Sequence, residues 1–345
     1  MQVLKVGIIG YGLSGRVFHG AVIKGVEGFE VTKIVTSDPV KKAQALSDFQ
    51  GVEVVASPQA VMDDPQIDLV IVCTPNTSHK PLAEEALRKG KHVVIEKPFT
   101  VTLEEAVELI VVAQEMNKCL SVYQNRRFDS DFKTLKRIIE EDKIGRIVEF
   151  ESHFDRFRNQ FKGNAWREEA HPGSGTLYDL GSHLIDQALC LFGLPNEVYG
   201  DIRAQRRGAV DDQFEVILYY DELKVTLKAG NLVKEPWPRY MLMGTEGTFV
   251  KYGLDVQESI LRAGQISYND QWGQEPEKLY GILNTLSSRE VVISEKGDYR
   301  EYYEAIYEAI VNGAPLPVTA EEGANVIKII HAAIESNREK RRVEL

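Results

Sequence analysis

The chain has 345 residues, of which 43% are apolar and 27% charged, and its formal net charge is -11. This length suggests two domains, each large enough to bury a core of its own. The acidic charge is spread along the chain, which argues against a nucleic-acid partner, and the apolar runs are too short to span a membrane.

The first part of the chain alternates short β-branched runs with stretches of helical period, from Val3 to about Gln124. This alternation predicts right-handed βαβ units around a parallel sheet. The apolar runs carry few polar residues, as expected of strands that helices cover on both faces. We therefore predict an α/β fold with a doubly wound Rossmann domain over residues 1–124.

The pattern changes beyond Asn125, where a helix from about Asp131 to Glu141 precedes strands and a second helix runs from about Asp179 to Phe192. Alternating strands then continue to about Lys251. This arrangement predicts an α+β domain over residues 125–345, with a large open and mostly antiparallel sheet.

The C-terminal segment from Thr319 to Arg341 has the strongest helical signature of the chain. Thr319 precedes Glu321 and Glu322, as in a helix N-terminus, and basic residues collect near the end of the segment. We expect this helix to pack back on the first domain.

A glycine-rich turn follows the first predicted strand and precedes a helical stretch. In this turn Gly10 permits a tight bend, Gly12 lets the backbone approach a pyrophosphate, and Gly15 allows close packing of helix on strand. Leu13 and Ser14 complete the turn, whose amides would face the phosphates of a dinucleotide. The sequence therefore predicts a nicotinamide dinucleotide as cofactor.

The end of the second predicted strand bears on the choice between NADP and NAD. Thr36 and Ser37 stand where a carboxylate would bind the ribose of NAD, and Lys41 and Lys42 follow one turn later. Hydroxyl groups and lysines favour the 2′-phosphate of NADP, although a solvated helix face would explain the lysines equally well. Asp38 keeps NAD open, because its carboxylate would mimic the NAD pattern if it faced the ribose.

Polar residues also end the fourth and fifth predicted strands, and carboxyl ends of parallel strands face the ligand crevice of such a sheet. We predict that these residues contact the cofactor: Thr74, Pro75, Asn76, His79, Glu96 and Lys97.

Oxidation of an alcohol by hydride transfer requires a proton acceptor and stabilisation of charge on the oxygen. The three cysteines, Cys73, Cys119 and Cys190, are widely spaced and suit reduced core thiols, so we expect no metal and a cytoplasmic location. A cationic side chain must then stabilise the oxygen, and Lys97 is the candidate.

Asp179 and His183 stand four residues apart, which places them on one face of a helix that has begun by Asp179. A histidine suits proton transfer near neutral pH, and a nearby carboxylate can orient it. Asp179 alone would equally fit a helix N-cap. Tyr220 and Lys224 match a known dehydrogenase spacing, but they flank a predicted hairpin turn, which makes the match accidental.

Four segments of the sequence, GYGLSGRVFH, TPNTSH, GKHVVIEKP and GSGTLYDLGSH, together resemble the Gfo/Idh/MocA oxidoreductase family. The resemblance implies catalytic roles for Lys97, Asp179 and His183, with the histidine as the acid–base group. It also implies that Trp166 and Arg167 lie near the cofactor, that Pro98 is cis, and that the chain forms a homodimer or homotetramer through its C-terminal sheet.

Within that family the chain is most similar to the NADP-dependent inositol dehydrogenases, which implies a cyclic polyol or sugar as substrate, scyllo-inositol or scyllo-inosose above all. Another sugar remains an alternative, as does a non-catalytic dinucleotide sensor. Polar and aromatic side chains near the domain junction are the candidate substrate contacts. They are Tyr123, Asn125, Arg126, His153, Arg156, Arg158 and Tyr178.

Overall fold

A computed structural model of the protein describes residues 2–161 and 166–345. Across these residues, no helix combines the length and the apolar character that crossing a membrane would require.

The strands and helices follow one another along the whole chain. The strands are β1 (Leu4–Ile9), β2 (Phe29–Val35), β3 (Glu53–Val55), β4 (Leu69–Val72), β5 (His92–Glu96), β6 (Leu120–Tyr123), β7 (Ile147–His153), β8 (Glu197–Arg203), β9 (Gln213–Tyr219), β10 (Lys224–Gly230), β11 (Tyr240–Gly244), β12 (Gly247–Lys251), β13 (Gly281–Thr285), β14 (Arg289–Val292) and β15 (Val343–Glu344). The α-helices are α1 (Ala21–Ile23), α2 (Pro39–Asp48), α3 (Gln59–Met62), α4 (His79–Arg88), α5 (Leu103–Glu115), α6 (Ser130–Glu140), α7 (Ser182–Phe192), α8 (Gln257–Arg262), α9 (Arg300–Asn312) and α10 (Ala320–Glu339). Two π-helices, Ser14–Gly20 and Leu177–Gly181, lead directly into α1 and α7.

The chain forms two compact units. The first unit comprises Met1–Asn125, Gln257–Asp270 and Asp298–Ala324, and the second comprises Arg126–Val256, Gln271–Gly297 and Asn325–Leu345. The division after Asn125 lies one residue from the boundary that the sequence suggests. The two units are not simply residues 1–124 and 125–345, because the chain returns to the first unit twice, in Gln257–Asp270 and Asp298–Ala324.

The first unit is built on a six-stranded sheet in the order β3-β2-β1-β4-β5-β6. All of its pairings are parallel, and the strands β4 and β5 are almost wholly buried. This is the doubly wound Rossmann sheet that the alternation of strands and helices predicts. Its strand order reverses between β1 and β4, where such sheets bind ligands.

Aromatic side chains hold the two later segments in the first unit. Tyr303 and Tyr307 of α9 pack edge-on against Phe29 of β2, and Tyr307 Oη donates to the Gln2 carbonyl oxygen at 2.8 Å. Tyr268 Oη donates to the Ala21 carbonyl oxygen at 2.9 Å. Burial of large aromatic rings supplies enough apolar contact to bring back segments that are remote in sequence.

The second unit is built on a nine-stranded sheet in the order β14-β13-β12-β11-β7-β10-β9-β8-β15. Only the β7–β10 pairing is parallel, which confirms the predicted mostly antiparallel sheet. Helix α7 covers one face, where Phe192 meets Phe150 and Gln187 accepts a hydrogen bond from Tyr240.

The C-terminal helix begins with the capping box that the sequence indicates. The Glu322 amide donates to Thr319 Oγ1 at 3.1 Å, and the Glu322 carboxylate accepts from the Thr319 amide at 2.8 Å. Helix α10 starts in the first unit, where Gly323 lies against Val122 and Phe99. From residue 325 it belongs to the second unit, so only its first turn joins the Rossmann domain.

A fully buried ion pair ties the segment before β13 to the sheet of the second unit. Lys251 Nζ lies 2.8 Å from a Glu275 carboxylate oxygen and donates to the Leu279 carbonyl oxygen at 2.6 Å. Neither side chain of the pair is exposed. Removal of one partner would leave a buried charge without its counter-ion.

We expect Glu275→Ala to lower the free energy of unfolding by about 3–5 kcal/mol, because Lys251 would stay buried without its carboxylate partner. Urea denaturation followed by circular dichroism measures the change. The control is Glu277→Ala, which removes an exposed carboxylate two residues away and should change stability by less than about 0.5 kcal/mol. Equal losses in both variants would contradict this account of the pair.

Candidate active site

The carboxyl ends of four adjacent parallel strands meet at one edge of the first unit's sheet. They bring together the glycine turn after β1, Thr36 and Ser37 after β2, the segment from Thr74 to His79 after β4, and the end of β5. The predicted cofactor residues of the first unit therefore share the edge at which open α/β sheets bind their ligands.

The glycine turn combines one tight contact with one open position. Gly10 has φ +97°, a conformation that side chains rarely adopt. A Cβ on Gly15 would lie 2.0 Å from the Gly10 carbonyl oxygen, so only glycine fits there. By contrast, nothing lies within 4 Å of the place where a Cβ on Gly12 would stand, and Leu13 beside it is half-exposed.

A carboxylate at the end of α2 anchors this turn. Asp48 accepts hydrogen bonds from Tyr11 Oη at 2.9 Å and from Arg16 Nε at 2.6 Å. Burial opposes ionisation of Asp48, yet donation from Arg16 and Tyr11 lowers the pKa of this carboxyl. The same burial and the same carboxylate raise the pKa of Tyr11 far above its usual range. The turn is thus tied to the helix that follows β2.

A second carboxylate ties the turn to the end of β5. Glu96 is 9% exposed and accepts from Ser14 Oγ and from the Lys97 amide at 2.9 Å, and it lies 3.1 Å from His19 Nε2. The other ring nitrogen of His19 lies 2.5 Å from Tyr303 Oη. Burial would raise the pKa of Glu96, but the His19 hydrogen bond and the nearby Lys97 charge lower it.

His79 joins the ends of β4 and β5. Its Nδ1 lies 3.0 Å from the Pro98 carbonyl oxygen and its Nε2 lies 2.9 Å from the Thr74 carbonyl oxygen. Burial lowers the pKa of His79, which favours the neutral ring. The Lys97–Pro98 bond is cis, which confirms the expectation for Pro98, and Lys97 itself is half-buried.

Asp38 at the end of β2 acts as the N-cap of α2. Its Oδ1 accepts from the amides of Val40 at 2.8 Å and Lys41 at 3.2 Å. These hydrogen bonds lower the pKa of Asp38. The Asp38 amide in turn donates to Thr36 Oγ1 at 3.3 Å, while Ser37 and Lys42 are exposed. The carboxylate is thus already engaged with its own helix.

Asp179 and His183 lie in the second unit, where a π-helical segment replaces the expected helix start. Asp179 stands inside the π-helix Leu177–Gly181, and His183 is the second residue of α7. Asp179 is therefore not the N-cap of α7, which is Gly181. Its Oδ1 lies 3.3 Å from Arg167 Nε, and the Arg167 guanidinium stacks on Trp166. His183 is 5% exposed.

The candidate substrate residues are distributed over both units. In the first unit, Tyr123 is buried, packs at a tilt against His19 with ring centroids 4.1 Å apart, and donates to the Phe18 carbonyl oxygen. Asn125 is also buried. In the second unit, Tyr178 Oη lies 3.2 Å from His331 Nε2. Arg126 packs its guanidinium on Phe154 and pairs with Asp129 at 3.2 Å.

Three other candidates in the second unit lie at the end of β7 or just beyond it. His153 follows Ser152 in β7, and side chains alternate between faces along a strand, so His153 lies on the face opposite α7. It stacks there on Trp237 between Glu151 and Asp155. Arg156 packs on Phe154, and Arg158 is exposed beyond the sheet. Their substrate roles remain predictions.

The first unit fits a dinucleotide. Gly12 leaves open backbone just before the π-helix Ser14–Gly20, where a dinucleotide fold receives a pyrophosphate. In the described part of the chain, no three His, Cys, Asp or Glu side chains come together as a metal site.

Several groups that build this site have no local signal in the sequence. His19 and Tyr303 contact each other across 284 residues, and Asp48 meets Arg16 across 32. His19 stands four residues after Gly15 on the same helix, and this spacing is the one local signal for its place. Tyr220 and Lys224 do flank the β9–β10 hairpin, which confirms that their spacing is accidental.

Two family models together match nearly the whole chain. Residues 4–124 match an oxidoreductase family, NAD-binding Rossmann fold, and residues 136–345 match an oxidoreductase family, C-terminal alpha/beta domain. The first unit is accordingly an NAD-binding Rossmann domain, and the chain is an oxidoreductase.

Individual relatives are similar over their full length. The chain is 43% identical over 350 residues to a scyllo-inositol 2-dehydrogenase (NADP(+)) of Bacillus subtilis (strain 168), covering 100% of this chain and 97% of that protein. It is 42% identical to an oxidoreductase of Escherichia coli (strain K12), covering 98% of this chain and 97% of that protein. A solved oxidoreductase structure from Bacillus subtilis superposes with a TM-score of 0.96 at 43% identity and covers 100% of this chain and 99% of that one.

The two glycines of the turn should respond differently to alanine. Gly12→Ala fits the fold, because nothing lies within 4 Å of the added methyl group. That methyl group would occupy the space of a bound pyrophosphate, so we expect an unchanged melting temperature and a Kd for NADPH raised about tenfold or more. Gly15→Ala should instead lower the melting temperature, because its Cβ collides with the Gly10 carbonyl oxygen.

Thermal denaturation and fluorescence titration with NADPH separate these two effects. Binding of NADPH by Gly12→Ala as tightly as by the unsubstituted protein would refute the assigned cofactor surface.

Proposed function

The chain belongs to the Gfo/Idh/MocA oxidoreductase family, and from that premise we propose that it is an NADP(H)-dependent dehydrogenase that interconverts scyllo-inositol and scyllo-inosose. The observation that carries the proposal is full-length similarity to a scyllo-inositol 2-dehydrogenase together with Lys97, Asp179 and His183 in the expected motifs. A glycine turn shaped for a dinucleotide supports the same conclusion.

The geometry of Asp38 supports NADP over NAD. A carboxylate selects NAD when it accepts hydrogen bonds from the ribose hydroxyls. The Oδ1 atom of Asp38 instead accepts two amides of α2, and Oδ2 lies 3.6 Å from Lys41 Nζ. Exposed Ser37 and Lys42 are then available to a 2′-phosphate, which needs hydroxyl and cationic donors.

Three side chains share the chemistry. A nicotinamide bound at the carboxyl edge of the first unit's sheet supplies the hydride acceptor for the carbinol carbon. His183 accepts the hydroxyl proton of the substrate and returns it in the reverse direction. Lys97 stabilises the negative charge that develops on the oxygen, as a preformed cation can do without reorganisation.

Asp179 acts beside His183. The Arg167 guanidinium, 3.3 Å away, holds the Asp179 carboxylate in place, and its stacking on Trp166 restrains the guanidinium in turn. We assign to Asp179 the orientation of His183 or a hydrogen bond to a second substrate hydroxyl. Trp166 and Arg167 keep their proposed place near the cofactor.

The substrate is a polyol that the remaining polar groups recognise through its hydroxyls. Tyr178, Asn125, Arg126 and Tyr123 are buried polar side chains. A site that hydrogen-bonds many hydroxyls rejects analogues that lack them, because its buried polar groups would then be unpaired. For His153, which faces away from α7, and for Arg156 and Arg158, a substrate role stays a prediction from the sequence.

We also assign the chain to the cytoplasm and to a homodimer or homotetramer that pairs its nine-stranded sheets. The face opposite α7 carries Tyr199, Ile217 and Met241, which are apolar groups suited to an interface. Analytical ultracentrifugation that finds only monomers at micromolar concentration would refute the assembly.

The first test offers the purified protein scyllo-inositol, myo-inositol, glucose and xylose with NADP or NAD and follows absorbance of the reduced cofactor. We expect the highest kcat/KM for scyllo-inositol with NADP. A preference for NAD would refute the role given to Asp38, and turnover of another sugar would refute the substrate. Tight NADPH binding without turnover of any polyol would favour a dinucleotide sensor.

Lys97→Ala should lower kcat about a hundredfold or more while the Kd for NADPH stays within about threefold, because the ammonium acts on the reacting oxygen. The control is Lys89→Ala, which removes an exposed lysine of the same unit. Steady-state rates and fluorescence titration measure both quantities. Unchanged kcat in Lys97→Ala would overturn the assignment.

A further inference from the structure

The π-helix that carries Asp179 lacks a side-chain cap of its own. Thr176 stands at the N-cap position, but its side chain makes no capping hydrogen bond. The first amides of a helix have no partner within the helix and must find one elsewhere. A residue from another part of the second unit meets this need.

Asp211, which stands just before β9, caps the π-helix in place of Thr176. Its Oδ2 accepts the Leu177 amide at 2.7 Å, and its carbonyl oxygen accepts the Thr176 amide at 3.1 Å. Both ends of one residue therefore hold the first turn of the π-helix, 34 positions earlier in the chain.

The chain makes room for this carboxylate at Gly175. A Cβ there would lie 2.0 Å from Asp211 Oδ1, and the backbone has φ +94°, which favours glycine. The Gly175 carbonyl oxygen then accepts the Asp179 amide at 3.1 Å, and the Gly175 amide donates to the Arg167 carbonyl oxygen at 3.0 Å. The turn at Gly175 thus connects Asp211 with Asp179 and with Arg167, which pairs with Asp179.

The neighbouring Asp212 makes different contacts. Asp212 is 2% exposed, accepts the amides of Gln205 and Arg206, and pairs with Arg206 Nε at 2.9 Å. Asp212 closes its own loop, and Arg206 provides the buried cationic partner for its charge. Among the described residues, Asp211 forms no ion pair.

We propose that Asp211 is a positioning residue for the dehydrogenase reaction, and that its carboxylate fixes the π-helical turn from which Asp179 and His183 are presented. The inference rests on the proposed function, which gives those two residues their chemical roles. A displacement of a catalytic group by about 1 Å can cost a hundredfold in rate, so the attachment of this turn matters to turnover.

Burial changes the ionisation of the Asp211 carboxyl, and this change can be tested. Burial raises its pKa to about 6 from 3.8, although the amides of Leu177 and Thr176 act in the opposite direction. A raised pKa means that the folded protein binds the proton more tightly than the unfolded chain does. Ionisation of Asp211 therefore lowers the free energy of unfolding. This loss is absent below pH 3.8 and reaches its full size above about pH 6.

The test compares Asp211→Asn and Asp211→Ala with the unsubstituted enzyme. Asparagine keeps one acceptor oxygen but loses the charge and turns an N–H group toward backbone amides. A neutral hydrogen bond is weaker than a charge-assisted one, so the turn is held less firmly. We expect kcat to fall about tenfold in Asp211→Asn and about a hundredfold in Asp211→Ala, with the KM for NADP within about twofold.

Stability should respond in a different way from turnover. The melting temperature of Asp211→Asn, relative to the unsubstituted enzyme, should improve as the pH rises from 4 to 7, because the cost of ionising Asp211 is removed. The matched control is Thr319→Ala, which deletes the cap of α10, a helix without proposed catalytic residues. It should lower the melting temperature and leave kcat unchanged.

Hydrogen–deuterium exchange of the amides from Leu177 to His183 provides a readout that does not depend on turnover. We expect faster exchange in Asp211→Ala and no change in Thr319→Ala. Unsubstituted protein without polyol turnover would refute the proposed function, whereas the exchange result would still decide whether Asp211 holds the turn. Unchanged exchange in Asp211→Ala, or wild-type kcat in Asp211→Asn of an active enzyme, would overturn the inference.

Discussion

The close approach of Gly15 to the Gly10 carbonyl oxygen is the contact on which the first unit's site depends. A Cβ at Gly15 would lie 2.0 Å from that oxygen and 3.4 Å from Cys73 Cβ. Only a chain without side chains at this crossing can bring the first helix close to the ends of β1 and β4. The same approach exposes the Gly12 backbone and places Ser14 and His19 where both contact Glu96. The glycine turn and the end of β5 are therefore held together by one packing constraint.

The second unit also has a glycine that lets another group approach the start of a π-helix. Gly175, like Gly10, has a positive φ and precedes a π-helix that leads into an α-helix. π-Helical turns are uncommon and occur often at functional sites, since the extra residue redirects the side chains that follow. In the first unit a backbone oxygen occupies the space that glycine leaves, and in the second unit a carboxylate occupies it.

Local patterns in the sequence predict much of this architecture, because they depend on neighbours along the chain. The glycine turn, the alternating strands of the first unit, the hairpin at Asp221 and the capping box at Thr319 all lie where the sequence indicates. The return of α8 and α9 to the first unit is different, because it depends on Tyr268, Tyr303 and Tyr307 finding distant partners. Amphipathic spacing can show that α9 is a helix, but it cannot say which core the helix joins. The start of α7 also escaped prediction, since periodicity does not distinguish an α-turn from a π-turn.

The carboxylates of Glu96 and Asp211 show why burial alone does not identify a functional group. Glu96 and Asp211 both accept backbone amides, yet the pKa of Glu96 is lowered and that of Asp211 is raised. The difference lies in their neighbours, because His19 and Lys97 offset the burial of Glu96, while Asp211 has the carboxylate of Asp212 beside it. An ionised Glu96 is therefore compatible with stability at neutral pH, and its role in fixing the glycine turn follows from its contacts. Burial raises the pKa of Asp211, so the ionised group is less favourable in the folded protein. The Asp211 carboxylate nevertheless accepts the Leu177 amide, at the start of the turn that carries Asp179 and leads to His183.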